Sequence, residues 1–223
     1  MKNIVIIVAG GTGKRMKTEI PKQFIPVKGK PVLMHSFEKF TAFSAALEFY
    51  LVLPEIHFDD WKALQLKYDF NTPHVLVKGG RERFFSVRNA LQKIIHEDSL
   101  VAIHDGVRPL VEVTVIRKAF ETAAGKGNAV PAVWPEQSLR QITGNNSNFA
   151  VDRKAYRLIQ TPQVFRLGLI RAAYEQDYQP HFTDDASVLE SAGEEIHLIE
   201  GNPENLKITR PPDLKIAEAL LAD

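Results

Sequence analysis

The stretch Val5-Ile6-Ile7-Val8-Ala9-Gly10-Gly11-Thr12-Gly13-Lys14-Arg15-Met16-Lys17-Thr18-Glu19-Ile20-Pro21-Lys22 decides how this chain is read. Its apolar opening, bounded by glycines, reads as a strand buried on both faces of a parallel sheet. Gly10, Gly11 and Gly13 let the backbone turn sharply and bring N–H groups close to an anion. Lys14, Arg15, Lys17 and Lys22 place cations beside that turn. A strand, a glycine loop and clustered cations point to a polyphosphate site.

Two familiar glycine loops are excluded. Gly13-Lys14 is followed by Arg15, so the Ser or Thr that a Walker A loop offers to magnesium is missing. Gly11 and Gly13 begin a dinucleotide fingerprint, but Met16 occupies the position of its third small residue.

Composition bounds the rest. A chain of 223 residues, 44% hydrophobic, suits one α/β domain with a core of ordinary size. A net charge of +1 supplies no field to draw the protein to nucleic acid or a membrane, so any anion must be held locally. The absence of cysteine removes disulfides, thiolate nucleophiles and Cys-based zinc sites. The apolar run after Lys2 is too short for a signal peptide, and no run approaches the ~20 residues of a spanning helix. The expectation is a soluble, cytoplasmic protein.

Beyond the loop, the pattern alternates. Helices are expected over 32–43 (with Pro31 at its first position), 57–68, 84–95 and 113–124, and strands over 47–53, 74–77, 100–103 and 129–133. This implies a Rossmann-like, mostly parallel, doubly wound sheet, in which ligands bind beyond the carboxyl ends of the strands. Three charged turns fall on that edge: the first loop, Gly79-Gly80-Arg81-Glu82-Arg83, and His104-Asp105-Gly106-Val107-Arg108-Pro109. At about 134–153 the rhythm breaks into short strand-like pieces, 139–142 and 149–151, around Gly144-Asn145-Asn146. An isolated hairpin is marginal unless it packs on something. It is read as a β-arm for a homodimer, inserted in a single domain spanning 1–223. Alternation resumes with an extended 156–161, a helix over 167–177, a helix opened by Thr183-Asp184-Asp185 with Thr183 as N-cap, Gly193 at its C′ position, a strand over 196–200, an extended 205–209 and a closing helix over 213–221. His104 and Trp61 are read as structural.

Val8-Ala9-Gly10-Gly11-Thr12-Gly13-Lys14-Arg15-Met16 with Pro21-Lys22-Gln23 resembles the opening signature of sugar-phosphate nucleotidyltransferases. Gly79-Gly80-x-x-Arg83-x-x-Ser86-Val87, His104-Asp105-x-x-Arg108-Pro109, Val151-Asp152-Arg153, Thr161-Pro162-Gln163, Thr183-Asp184-Asp185-Ala186 and Asn205-Leu206-Lys207-Ile208-Thr209 narrow the match. In this order, over nearly the whole chain, they resemble the 2-C-methyl-D-erythritol 4-phosphate cytidylyltransferase family of the non-mevalonate isoprenoid pathway. One departure is Gly106-Val107 after Asp105, where that family more often has two alanines.

The resemblance implies transfer of CMP from CTP to a polyol phosphate, with release of pyrophosphate and dependence on Mg2+ or another divalent cation. It implies catalytic Arg15 and Lys22 at the triphosphate. It places the nucleotide on Ala9, Gly10, Gly11, Gly13, Gly80, Ser86, Asp105 and Lys207, with Asp105 as metal ligand. The acceptor falls to Arg108, Ser138, Arg153, Thr161, Thr183 and Lys207, with Arg153 and Arg140 acting from the partner's arm. Elementary chemistry agrees. A phosphate monoester with a second pKa near ~6 is already ionised at neutral pH and needs no general base. The obstacle is repulsion between two phosphates, met by cations and a metal. Two alternatives stand beside this reading: a cytidylyltransferase for another polyol phosphate such as ribitol 5-phosphate, and a non-catalytic nucleotide-binding protein. Lys22→Ala and Asp105→Asn are expected to abolish turnover with little change in melting temperature.

Overall fold

Strand β1 (Lys2–Val8) buries Ile4, Val5, Ile6 and Ile7 completely, as a strand covered on both faces must. Val5 and Ile7 join one apolar cluster with Leu33, Phe37, Phe40, Trp61, Ile116 and Phe120. Ile4 and Ile6 join another with Phe84, Val87, Phe165, Ile170 and Leu189. The period of two along the strand thus assigns helices to the two faces of the sheet. A computed structural model describes residues 1–11, 16, 20–144 and 147–221.

On the first face lie α1 (Val32–Phe43), α2 (Phe58–Lys67) and α4 (Val113–Lys126). On the second lie α3 (Arg83–Leu91), α5 (Leu167–Ala173) and α6 (Asp185–Ser191). Between them runs a sheet of eight strands among the described residues. Strands β4 (Glu48–Leu53), β5 (Val75–Lys78) and β6 (Ser99–Asp105) are parallel to β1 in the order β6-β1-β4-β5. The mostly parallel sheet of the sequence reading is confirmed. Short β2 (Pro26–Val27) and β3 (Lys30–Pro31) form a separate ribbon. Beyond β6 the sheet continues through β11 (Gln163–Arg166) to β7 (Asn128–Val133), which also pairs with β10 (Leu158–Ile159) and β12 (Leu198–Glu200). A last helix, α7 (Pro211–Leu220), packs Ala217 into a third cluster with Val27, Val107 and Ile208.

Several boundaries differ from the periodic reading. β11 was not expected: it runs antiparallel between β6 and β7, a four-residue piece too short to show a period. Helix α3 stops at Leu91 instead of 95, and Arg171 Nη2, reaching in from α5, donates to the carbonyls of Ile94 (2.7 Å) and Leu91 (3.3 Å) at and beyond that end. Helix α5 ends at Ala173, not 177. Pro31 is the N-cap of α1, one place before the first helical position. The N-cap of α6 is Asp184, not Thr183: its carboxylate accepts from Ser187 N (2.9 Å), and the Ser187 hydroxyl returns the bond. Gly193 sits at φ 92, as its C′ role requires.

The hairpin is present as β8 (Leu139–Ile142) and β9 (Asn148–Val151), paired Leu139↔Val151 to Ile142↔Asn148. Asn145 and Asn146, at its turn, lie outside the described residues.

An aromatic stack of Phe24, Trp61 and Phe37 fills the first face and ends at His74. Trp61 Nε1–H donates to His74 Nε2 (2.9 Å), and His74 Nδ1 meets Thr72 O (2.7 Å), so the ring is held neutral. Burial lowers its pKa. A base depressed in the folded state takes up its proton more readily when unfolded, so stability falls as pH drops below about 6.5. Unfolding free energy measured by urea at pH 7.5 and pH 5.5 should fall less in His74→Gln than in the wild type. An equal fall in both contradicts this assignment.

Candidate active site

The register of the parallel strands brings the sequence motifs to one edge. Val8 pairs with both Asp105 and Val52, and Lys78 with Leu53. Three backbone bonds carry the chain past these ends: Ala9 N to Val52 O, Gly79 N to Leu53 O and Gly106 N to Val8 O. Buried Gln23 donates from Nε2 to Ala9 O (3.0 Å) and pins the start of the glycine turn. Gln23 belongs to a 3-10 turn, Lys22–Phe24, entered from Pro21. Phe24 anchors that turn by stacking on Trp61, with centroids 6.1 Å apart. Lys22 therefore stands on a stiff base. Its Nζ donates to Ile208 O (3.1 Å), next to Lys207.

The turn between β5 and α3 is closed by Ser86, whose hydroxyl accepts from Gly80 N (3.0 Å) and donates to Glu82 O (3.1 Å). Here glycine is required by space. A Cβ on Gly80 would lie 2.3 Å from Phe85 Cβ and 3.0 Å from Phe85 C, neither of which can swing away. Gly80→Ala is expected to cost about 2 kcal/mol or more through overpacking. Denaturant titration checks this; an unchanged midpoint would show that the turn can relax.

Asp105, at the end of β6, is the electrostatic centre. Lys207 Nζ lies 3.0 Å and Arg108 Nε 3.1 Å from its Oδ2, and Arg83 Nε 3.8 Å from its Oδ1. Burial disfavours its charge, but Lys207, Arg83 and Arg108 outweigh that and hold its pKa well below the usual carboxylate range. Its backbone is fixed as well. Asp105 N–H donates to Thr161 Oγ1 (3.1 Å), which faces His104 Nδ1 (3.1 Å), while His104 Nε2 faces Arg108 O (3.1 Å). A carbonyl can only accept, so Nε2 carries the proton and Nδ1 accepts from the Thr161 hydroxyl. Burial lowers the His104 pKa to about 4, keeping it neutral. The structural role read for His104 holds. Arg108 Nη1 in turn donates to Asn205 O (2.7 Å), and Asn205 Nδ2 to Thr161 O (2.9 Å).

Two hollows share this centre as a wall. One, of about 340 Å³, is lined by Ala9, Gly10, Gly11, Lys22, Gly80 and Ser86 together with Arg83, Asp105 and Lys207. The other, of about 250 Å³, is lined by Arg108, Thr161, Gln163 and Thr183 with the same Arg83, Asp105 and Lys207. A larger hollow of about 700 Å³ lies at the opposite edge of the sheet, around Met1, Ser44 and Pro73, away from these groups.

Most residues singled out in the sequence thus converge. Ser138 and Arg153 do not: they sit exposed at the base of the hairpin, line neither of the two adjoining hollows, and Arg153 donates to Glu136 O. Arg15 and Gly13 lie outside the described residues. Sequence reasoning missed Gln23, Asn205, Arg83 and Asp185 as site residues. Each stood inside a quoted motif, but nothing in its spacing told which neighbour it would meet.

A glycine-lined hollow and a cation-rich hollow adjoin at one ionised carboxylate on the carboxyl edge of a mostly parallel sheet, an arrangement that fits the class of nucleotidyltransferases. The comparisons narrow the class. Residues 3–223 match the family described as IspD, 2-C-methyl-D-erythritol 4-phosphate cytidylyltransferase. A protein of that name from Bacteroides thetaiotaomicron is 49% identical over 221 residues, covering 99% of this chain and 100% of the relative. One from Bacillus velezensis is 38% identical over 224 residues, covering 99% and 96%. Among solved structures, the Francisella tularensis enzyme of that name is 30% identical with TM-score 0.82, covering 99% of this chain and 100% of that one. The 4-diphosphocytidyl-2C-methyl-D-erythritol synthase from Anaerococcus prevotii is 27% identical with TM-score 0.84, covering 99% and 96%. The chain belongs to the 2-C-methyl-D-erythritol 4-phosphate cytidylyltransferase family.

Proposed function

We propose that this chain transfers CMP from CTP to 2-C-methyl-D-erythritol 4-phosphate, giving 4-diphosphocytidyl-2-C-methyl-D-erythritol and pyrophosphate. The observation that carries the reading is the carboxylate of Asp105, held ionised between Lys207, Arg108 and Arg83 in the wall common to both hollows. CTP occupies the hollow of Ala9, Gly10, Gly11, Gly80 and Ser86, and Gly13 is assigned to the nucleotide with them. The acceptor phosphate occupies the one lined by Arg108, Thr161 and Thr183. Its oxygen attacks the α-phosphorus, the bond from that phosphorus to the bridging oxygen breaks, and pyrophosphate leaves with the electron pair. Arg15 and Lys22 neutralise charge on the triphosphate, and Lys207 lies between the two substrates. No side chain has to remove a proton from the nucleophile.

Among the described residues no group of three or more His, Cys, Asp or Glu gathers to hold a metal. A magnesium ion that arrives on the triphosphate needs only one or two carboxylates from the protein, and Asp105 supplies one hard oxygen. Such an ion would supply charge neutralisation at the phosphates.

The hairpin and its surroundings leave Trp134, Ile142, Phe149, Tyr156, Leu158 and Ile159 exposed. An apolar group of this kind favours a homodimer in which the partner's arm brings Ser138, Arg140 and Arg153 to the acceptor. Phe149→Glu combined with Ile142→Asp should shift the chain to monomer in sedimentation velocity and raise the acceptor KM, with CTP binding unchanged. A dimer that persists, or a monomer with full activity, contradicts this. Among the described residues no helix is long and apolar enough to cross a membrane.

The test of the reaction is pyrophosphate release with CTP or UTP against a panel of polyol and sugar phosphates. Turnover with CTP and methylerythritol phosphate is expected. Turnover with ribitol 5-phosphate alone would move the acceptor assignment, and none with any acceptor would favour a nucleotide-binding protein without catalysis.

A further inference from the structure

The role of Arg83 is not exhausted by its weak approach to Asp105. Its guanidinium makes a two-pronged pair with Asp185, Nη1 to Oδ1 at 2.7 Å and Nη2 to Oδ2 at 2.6 Å. Asp185 is fully buried and accepts a third bond from the Tyr174 hydroxyl at 2.7 Å. Burial disfavours the charge on Arg83, but Asp185 outweighs it and raises the pKa, so the guanidinium stays charged. Arg83 opens α3, in the turn that also carries Gly80 and Ser86, and Asp185 opens α6, directly behind Thr183. The pair therefore joins an element of the nucleotide hollow to an element of the acceptor hollow, and Arg83 lines both.

We propose that Arg83 is a positioning residue for the acceptor, acting through Asp185 to hold the turn 183–186 so that Thr183 faces the second hollow. The inference rests on the reaction proposed above. Buried ion pairs seldom add net stability over apolar side chains of similar size, so packing α3 against α6 does not by itself require one here. What the pair adds is geometry: a planar fork fixes both oxygens of Asp185, and so the direction in which the chain enters α6. From the other side Gln163 completes the clamp. Its Nε2 donates to Asp184 Oδ2 (2.7 Å) and its Oε1 accepts from Ala186 N (2.8 Å). With Gln163 tied to β11 and Arg83 tied to α3, the turn is held to both halves of the cleft. A lysine at 83 would keep the charge and lose the fork.

The test is steady-state kinetics on Arg83→Lys and Asp185→Asn, each alone and combined with Thr183→Val. If Arg83 acts through the turn, the acceptor KM rises about tenfold or more while the CTP KM changes by less than about threefold. Adding Thr183→Val should then cost less than the product of the single effects, since both changes remove one contact. An unchanged acceptor KM, an equal rise for CTP, or effects that multiply would overturn the proposal. Amide hydrogen exchange over 183–187 should also quicken in Arg83→Lys, whatever the turnover; unchanged exchange overturns it as well. If one variant fails to fold, the other carries the same test. Wild-type turnover with the same acceptor, measured alongside, reports separately on the parent reaction.

Discussion

Lys22→Ala is expected to lower kcat about a thousandfold, because it removes a positioned cation from a transition state whose difficulty is phosphate charge. The structure explains why this side chain is aimed and not merely nearby. A Cβ placed on Gly11 would lie 3.8 Å from Lys22 Cε, so the lysine stem runs beside the glycine turn. Its base is a 3-10 turn pinned by Gln23 to Ala9 O and by Phe24 to Trp61. Stability should hardly move. The bond to Ile208 O contributes about 1 kcal/mol, equivalent to a few degrees in a chain of this size. Arginine at this position should restore only part of the rate, since a broad fork does not replace a point charge on a short reach. Retained turnover, or a large drop in melting temperature, would mean that Lys22 supports the fold and not the chemistry.

Asp105→Asn is the second large effect. Turnover should fall about a hundredfold or more, because three cations lose the charge that organises them at the junction of the hollows. The sequence reading expected little change in stability. The buried position of the carboxylate revises that expectation. Removing one partner of a buried cluster leaves the others uncompensated, at a cost of about 3–5 kcal/mol when all are buried. Here Lys207 is 40% exposed and Arg83 24%, so solvent screens part of it and about 1–3 kcal/mol is the expected loss. Turnover must therefore be corrected for the folded fraction at the assay temperature. A loss of activity that vanishes under stabilising conditions would make Asp105 structural.

Much of the fold could be read because β1, β4, β6 and β7 are largely apolar runs and α1 and α4 carry apolar stripes at helical spacing. The same logic failed where an element is too short to show a period, as in β11, or at an end whose carbonyls meet a distant residue, as those after α3 meet Arg171. The site divides in the same way. Gly80 and Asp105 fall in charged turns just after strands, and the family resemblance supplied their expected roles and that of Lys22. No such role was read for Arg83 and Asp185, since their meaning lies in a contact 102 residues apart along the chain. Asp184 and Asp185 look alike in sequence as acids opening a helix. Only the fold makes one a cap and the other a buried ion-pair partner. Gly106 is a related case. A Cβ there would meet Leu33 Cδ1 at 2.8 Å and Ala9 Cβ at 3.1 Å, so the departure from alanine fits the packing in this chain.

In the proposed reaction two mutually repelling phosphates are brought together across one carboxylate, each from its own hollow. A crystal structure of the chain with CTP, magnesium and methylerythritol phosphate tests it most directly, with Lys22→Ala used to slow turnover. Cytidine is expected against Ala9–Gly11 and Gly80, the acceptor phosphate against Arg108 and Thr183, and Asp105 between them. A nucleotide bound at the opposite edge of the sheet, or both ligands crowded into one hollow with Asp105 apart from them, would contradict it.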